Sequence, residues 1–391
     1  MQDKNWTIKR CLDWTRDYLK DKGDERPRLS AEWLLSSVTG YSRTQLYMSF
    51  DQSLSAEELD VMHGAVVRRA KGEPLQYIAG STTFRMIDVA CEPGVLIPRP
   101  ETELLVEEVL RYLDREVLAD GAADSRTRVK LPWNDEVEAA RKAEEEAAAQ
   151  RAALEKAKAA AGADFGGDGA KDAQDAGAAD ADEGAGDETA ADEGEGADAA
   201  PRVARVLEVG TGTGCISLSL AHERPGRVVC IATDIEPRAV RLAARNRDAL
   251  GIAPDVVDIR EGNLVSPLDK HAEWGTFDVF VSNPPYIPSP VMQQLPHEVA
   301  DFEPALALDG GADGLDIFRR LVNAAPYMLA PGGLFACELY EGHLDLAVAI
   351  AQAGGLENVC VVNDLTERPR ILLACTSAVS QTDGCEEPVR A

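Results

Sequence analysis

Val203-Ala204-Arg205-Val206-Leu207-Glu208-Val209-Gly210-Thr211-Gly212-Thr213-Gly214 decides the fold of this 391-residue chain. It reads as a buried strand running into a glycine loop, with a helix beginning at about Cys215. Glycines let the loop turn tightly and let a ligand lie against backbone amides at a helix amino end. The next apolar run, 228–233, ends beside Asp234, about twenty residues beyond the loop. From that position a carboxylate bonds ribose hydroxyls. The glycine spacing is G-x-G-x-G. A dinucleotide fingerprint requires glycine where Cys215 stands, and a phosphate-binding P-loop requires a Gly-Lys-Ser/Thr ending; this chain has neither.

Outward from this stretch, apolar runs and amphipathic helices alternate to the end of the chain. Strands are expected over 203–209, 228–233, 255–260, 277–282, 334–339, 359–362 and 371–375, with helices between them such as 237–250 and 317–329. That alternation predicts an α/β domain built on a parallel sheet with helices on both faces. Such sheets bind ligands at the carboxyl ends of strands, where the strand order reverses. The acid beside the loop, Glu208, is unwelcome to a pyrophosphate and welcome to a cation. S-adenosylmethionine, with a sulfonium, an ammonium and a ribose, suits Glu208 and Asp234 better than a dinucleotide does. Asn263, after the third strand, is placed to hydrogen-bond an adenine edge. The structural alternatives are a solvated strand end for Glu208 and a turn residue for Asn263.

A second site is written at the end of the fourth strand, in Asn283-Pro284-Pro285-Tyr286. Two prolines fix φ and cannot donate to a ladder, so the strand stops there, and the residue before them is held extended. Asn283 is therefore expected at the strand's carboxyl end with its carboxamide projecting and an aromatic ring just beyond. This is a rigid holder for a planar amide or amino-substituted base. In the expected chemistry, the Asn283 side-chain oxygen and the Pro284 carbonyl accept the protons of an NH2 group, and Tyr286 packs on its plane.

The formal charge is −28, and half of it lies between 134 and 200, where 20 acidic residues face 6 basic ones. The rest of the chain is also acidic, which argues against a phosphate-backbone binder. Residues 119–202 form an Ala/Gly-rich acidic insertion. Its first part has helix propensity, and its remainder has too little to bury to offset chain entropy, so disorder is expected. Residues 1–80 read as a small helical domain, which either caps the larger domain or takes part in substrate recognition, with a capping box at Ser55-Ala56-Glu57-Glu58 and a helix end at Gly40. Residues 81–100 are expected to form a hairpin linker turning at Glu92-Pro93-Gly94, 101–118 the first helix of a catalytic domain, 203–376 its body, and 377–391 a polar tail. Pro98-Arg99-Pro100-Glu101 stiffens the approach to that first helix; Arg99 and Glu101 are candidates for substrate contact, or simply a rigid turn with a favourable first-turn acid. The eight cysteines are scattered without metal-like pairing, and no metal is expected. No apolar run is long enough to span a bilayer, and the amino terminus lacks an apolar signal core, so the cytoplasm is the expected compartment.

With these pieces placed, the chain resembles the HemK/PrmC family of class I, S-adenosylmethionine-dependent methyltransferases. The resemblance rests on Gly72-Glu73-Pro74-Leu75-Gln76-Tyr77-Ile78-Ala79-Gly80, on Leu96 through Glu103, on Leu207 through Ile216 and on Val281 through Ile287. Phe302-Glu303-Pro304 and Pro331-Gly332-Gly333 also match. It covers residues 1 to 376 apart from the insertion. It implies a Rossmann-like sheet of seven strands, the last antiparallel, and a helical amino-terminal domain that helps hold a release factor. It implies methylation of the glutamine in a release factor's Gly-Gly-Gln motif, with S-adenosylmethionine on Glu208, Gly210, Thr211, Gly212, Thr213, Gly214, Asp234, Asn263 and Asn283. The acceptor would meet Asn283, Pro284, Pro285, Tyr286, Arg99 and Glu101, with no direct hold on nucleic acid or membrane and one chain sufficing. The chain departs from the family at Asn263-Leu264, where Asp followed by an aromatic is common, and in the long insertion. The competing readings are a nucleic-acid amino-methyltransferase, a nicotinamide-dependent dehydrogenase and a non-catalytic adaptor working through its acidic segment.

Overall fold

The computed structural model describes residues 6–119 and 202–377. The expected helix of the insertion and the expected polar tail lie outside these residues. Five helices open the chain: α1 (Ile8–Asp21), α2 (Pro27–Thr39), α3 (Arg43–Met48), α4 (Ala56–Arg69) and α5 (Leu75–Ala79). Ser55 caps α4 in the capping box its sequence predicts, and Gly40 ends α2 in the left-handed region at φ 71°. Their apolar stripes meet in a core that includes Ile8, Leu19, Leu34, Leu35 and Leu46, all fully buried.

The helical bundle is tied to the catalytic region by specific polar contacts. Arg69 bonds Asp24 at 2.7 Å and Glu298 at 2.9 Å, and Glu298 belongs to a short helix, α9 (His297–Ala300), beside the site. Tyr77, at 4% exposure, donates its hydroxyl to the Val95 carbonyl at 2.6 Å.

The hairpin differs from expectation. Its strands, β1 (Ser81–Phe84) and β2 (Ile87–Ala90), turn at Arg85-Met86, with Arg85 at φ 49°. Residues 95–97 are not a strand. Val95 packs on Ala239 and Leu242, and Ile97 on Tyr77 and Cys91. The Val95 carbonyl accepts from Tyr77, the Val95 N–H donates to the Glu92 carbonyl at 3.3 Å, and the Ile97 N–H donates to Glu303 at 3.3 Å. A ladder is unnecessary once these groups are satisfied.

The remainder is a seven-stranded sheet in the order β5-β4-β3-β6-β7-β9-β8, with β9 antiparallel to both neighbours. The strands are β3 (Ala204–Val209), β4 (Val228–Asp234), β5 (Val257–Glu261), β6 (Phe277–Ser282), β7 (Leu329–Glu338), β8 (Glu357–Asn363) and β9 (Pro369–Cys375). All seven expected strands are present. β7 starts five residues early, because Leu329 pairs with Phe277 before the register jumps to Val279 opposite Leu334. Leu207, Phe280 and Phe335 lie side by side in register and face α10 (Asp316–Met328) and α11 (Leu344–Ala353) in the main core. Against the sheet also pack α6 (Pro100–Tyr112), α7 (Cys215–Glu223) and α8 (Pro237–Ala249). The strand order reverses between β3 and β6, so the crevice at their carboxyl ends is where a ligand is expected.

Candidate active site

The crevice at the switch point is a cavity of about 290 Å³, the scale of a small-molecule site. Both motifs singled out in the sequence open into it: Gly210–Thr213 with Asp234 on one side, Asn283-Pro284-Pro285 on the other. Ser282 holds the two strand ends together, its hydroxyl donating to the Val209 carbonyl at 2.7 Å.

Glu208 is fully buried. One carboxylate oxygen accepts from the Thr211 hydroxyl (2.9 Å) and from the Ser217 amide (3.1 Å) and hydroxyl. The other oxygen has no partner among the described residues. Burial pushes this carboxyl up to about 7, against the pull of those donors. An orphaned carboxylate oxygen in a cavity wall is what a cationic ligand would satisfy, because an unpaired buried acceptor is costly. Asp234 closes β4; one of its oxygens accepts from the Gly212 amide at 2.8 Å and the other from Glu236 at 2.9 Å. Each oxygen keeps a lone pair, the pattern that two ribose hydroxyls need.

The glycines divide their work. Gly210 and Gly212 have φ of 76° and 56°; a side chain at Gly210 would stand in open space, and a Cβ on Gly212 would meet only Val95, at 4.0 Å. Gly214, at the amino end of α7, is outside the cavity lining. A Cβ there would come 2.9 Å from Leu218 and 3.2 Å from Ala243, so it serves the close approach of α7 to α8. Thr213 faces the cavity and accepts from Asn246 through its carbonyl at 2.9 Å. Asn263 also lines the cavity, but its side-chain oxygen is engaged by Arg320 at 3.1 Å, a partner that sequence reading did not foresee.

On the acceptor side, the Asn283 NH2 donates to the Thr102 hydroxyl at 3.0 Å, and Thr102 donates to Glu338 at 2.7 Å. Among the described residues no donor reaches the Asn283 side-chain oxygen or the Pro284 carbonyl. Two acceptors are thus left open at the cavity wall. Tyr286 is not a wall of the cavity; its ring packs on the main core, and burial pushes its hydroxyl up to about 12. Arg99 reaches the cavity rim but is ion-paired to Glu303, which is 6% exposed. Glu101 stands outside the cavity lining, close enough to Glu338 and Tyr286 to act on both through its charge.

A glycine-rich loop buttresses the diproline segment. Ile287 donates to Leu308 at 2.9 Å, and Gly310 donates back to Ile287 at 2.8 Å. A Cβ on Gly310 would stand 2.8 Å from the Pro285 carbonyl oxygen and 2.6 Å from that of Gly314. Neither backbone atom can swing aside. Gly310→Ala is therefore expected to cost about 1–3 kcal/mol of stability, as overpacking does, and to lower kcat by shifting Pro284 and Pro285. Urea denaturation and a turnover assay check the two effects.

Thr102, Glu303, Glu338 and Gly310 were not assigned roles from sequence. The one local signal was an acid closing an apolar run, which Glu338 shares with Glu208. No group of metal-ligating side chains occurs among the described residues, and no described helix is long and apolar enough to cross a membrane.

Residues 10–80 match the family described as the PrmC N-terminal domain, and residues 198–296 match the methyltransferase small domain. A release factor glutamine methyltransferase of Geobacter sulfurreducens is 35% identical over 90% of this chain and 90% of its own length. The protein of that description from Rhodospirillum rubrum is 31% identical over 93% of this chain and 84% of its own, and that from Moorella thermoacetica 31% over 94% and 98%. A solved methyltransferase from Pyrococcus furiosus, 22% identical, aligns over 45% of this chain and 77% of its own with a TM-score of 0.34.

Proposed function

The chain belongs to the release factor glutamine methyltransferase family, and from that premise we propose that it methylates the side-chain amide nitrogen of the glutamine in the Gly-Gly-Gln loop of a release factor, with S-adenosylmethionine as donor. The observation that carries this reading is the pair of open acceptors, the Asn283 side-chain oxygen and the Pro284 carbonyl, in one cavity with the glycine loop, Glu208 and Asp234. Glu208 would meet the cationic methionine end, Asp234 the ribose and Asn263 the adenine edge. Bound there, S-adenosylmethionine supplies an electrophilic methyl group on a sulfonium.

An amide nitrogen is a poor nucleophile because its lone pair is delocalised into the carbonyl. Asn283 and Pro284 accept its two protons, fix its plane and stabilise the positive charge that develops on it. Holding the nitrogen in line supplies most of the acceleration. No strong base is needed, since the alkylated nitrogen releases a proton readily. The helical bundle, tied through Arg69 to Glu298 beside the site, is placed to hold the body of the release factor. Every group invoked comes from a single chain, so a monomer suffices, and the compartment is the cytoplasm, where translation terminates.

The test is mass spectrometry of the Gly-Gly-Gln peptide after incubation of a release factor with enzyme and donor, beside parallel RNA and DNA arms. A gain of one methyl on the glutamine is the expected result. An unmodified peptide with methylated nucleic acid would transfer the activity to nucleobase amino groups.

A further inference from the structure

We infer that Thr102 and Glu338 are positioning residues that decide which end of the Asn283 carboxamide faces the acceptor. A threonine hydroxyl has one proton. That proton is given to Glu338 at 2.7 Å, so the Thr102 oxygen can only accept from Asn283, and it receives the NH2 at 3.0 Å. The Asn283 oxygen is then turned to the cavity, where an N–H must be received. Were the carboxamide reversed, its NH2 would confront the NH2 of the substrate, donor against donor, and binding of the acceptor nitrogen would fail. The chain of contacts is shielded from water, which could otherwise supply either polarity: Thr102 and Glu338 are each 2% exposed.

The polarity of this relay depends on Glu338 being ionised. A carboxylic acid there could donate to Thr102, freeing the Thr102 proton for the Asn283 oxygen and reversing the amide. Burial raises the Glu338 carboxyl to about 7; the Thr102 hydrogen bond lowers it, the charge of Glu101 on α6 raises it, and the charge of Arg370 on β9 and a direct hydrogen-bonding influence of the Asn283 carboxamide, which also favours its NH2 end toward Glu338, lower it. Tyr286 and Cys215 also sense its charge, and Cys337 adjoins it; burial raises all three, so they stay neutral near pH 7. The active form is the carboxylate, so kcat should rise with pH and reach a plateau above about 7. A bound sulfonium would favour the carboxylate and move that midpoint lower.

This inference rests on the proposed methyl transfer, and the test separates the two. Turnover is measured on a full-length release factor at saturating donor, with S-adenosylhomocysteine affinity measured in parallel. Thr102→Val, which keeps shape and loses the hydroxyl, is expected to lower kcat by about 10- to 100-fold, the order that misplacing a reacting group costs. Cofactor affinity should not change, and Thr102→Ser should restore most of the rate. Glu338→Gln should lower kcat and weaken the acidic limb, leaving only what Glu208 contributes. Wild-type kcat in Thr102→Val, a parallel loss of cofactor affinity, failure of Thr102→Ser to recover, or an acidic limb unchanged in Glu338→Gln would each overturn the assignment. Should the wild-type protein modify a nucleobase and not the glutamine, the proposed substrate falls, and the same variants assayed on that amino group still decide the role of Thr102.

Discussion

Asn283→Ala is expected to lower kcat by about two to three orders of magnitude, the cost of deleting one preorganised contact to developing charge. Cofactor affinity should survive. The glycine loop is held by the β4 end, through Gly210 and Thr211 donating to Thr233 at 2.8 and 3.0 Å, and by Asp234, none of which touches the carboxamide. The diproline would keep the backbone extended, so the Pro284 carbonyl remains in place with one acceptor where two are needed. A single-turnover assay beside calorimetric titration with S-adenosylhomocysteine separates chemistry from binding. Normal turnover in this variant would remove the mechanism, whatever the substrate.

Asp234→Ala is expected to fail in the opposite way, with cofactor affinity falling about 10- to 100-fold, as removal of hydrogen bonds to a charged group does. Two losses combine. The ribose hydroxyls lose their acceptor, and the amides of Gly212 and Glu236 lose the oxygens that now fix the loop. The wild-type carboxyl is raised by burial, with Glu236 and Gly212 donating against that effect, so the side chain bears a desolvation cost that these amides offset in part and ribose hydroxyls would offset further. Kd measured by titration calorimetry is the check, and an unchanged Kd would place the ribose elsewhere.

What the sequence made legible was local. A glycine loop between a strand and a helix, an acid ending the next strand and two prolines ending another are each written within a dozen residues, and each sits where its pattern implies. The supports were not legible, because their partners are remote along the chain. Thr102 meets Asn283 across 181 positions and Glu338 across 236, and Arg99 meets Glu303 across 204. No periodicity records such pairings. Gly214 was opaque for a different reason: glycine answers equally to a nearby ligand and to a nearby helix, and the approach of Leu218 and Ala243 to it is not written in the sequence. Tyr286 shows the same ambiguity, since an aromatic beside a site serves as well for the core. The hairpin was misplaced because Glu92-Pro93-Gly94 is the stronger turn signal: a turn forms there, with the Val95 N–H on the Glu92 carbonyl, but Tyr77 and Glu303 take up backbone groups of Val95 and Ile97 in place of a second strand.

Arg227 lies just before β4 and donates to the Leu118 carbonyl at 2.9 Å and to that of Arg202 at 3.1 Å. One guanidinium therefore grips the chain both where the acidic segment departs and where it returns. This clasp lies at the amino ends of the strands, about 20 Å from the catalytic edge across a six-residue strand. Evolution can lengthen, shorten or recompose what hangs from such a clasp without asking anything of the chemistry, so the most conspicuous peculiarity of this polypeptide need not mark any change in what it catalyses.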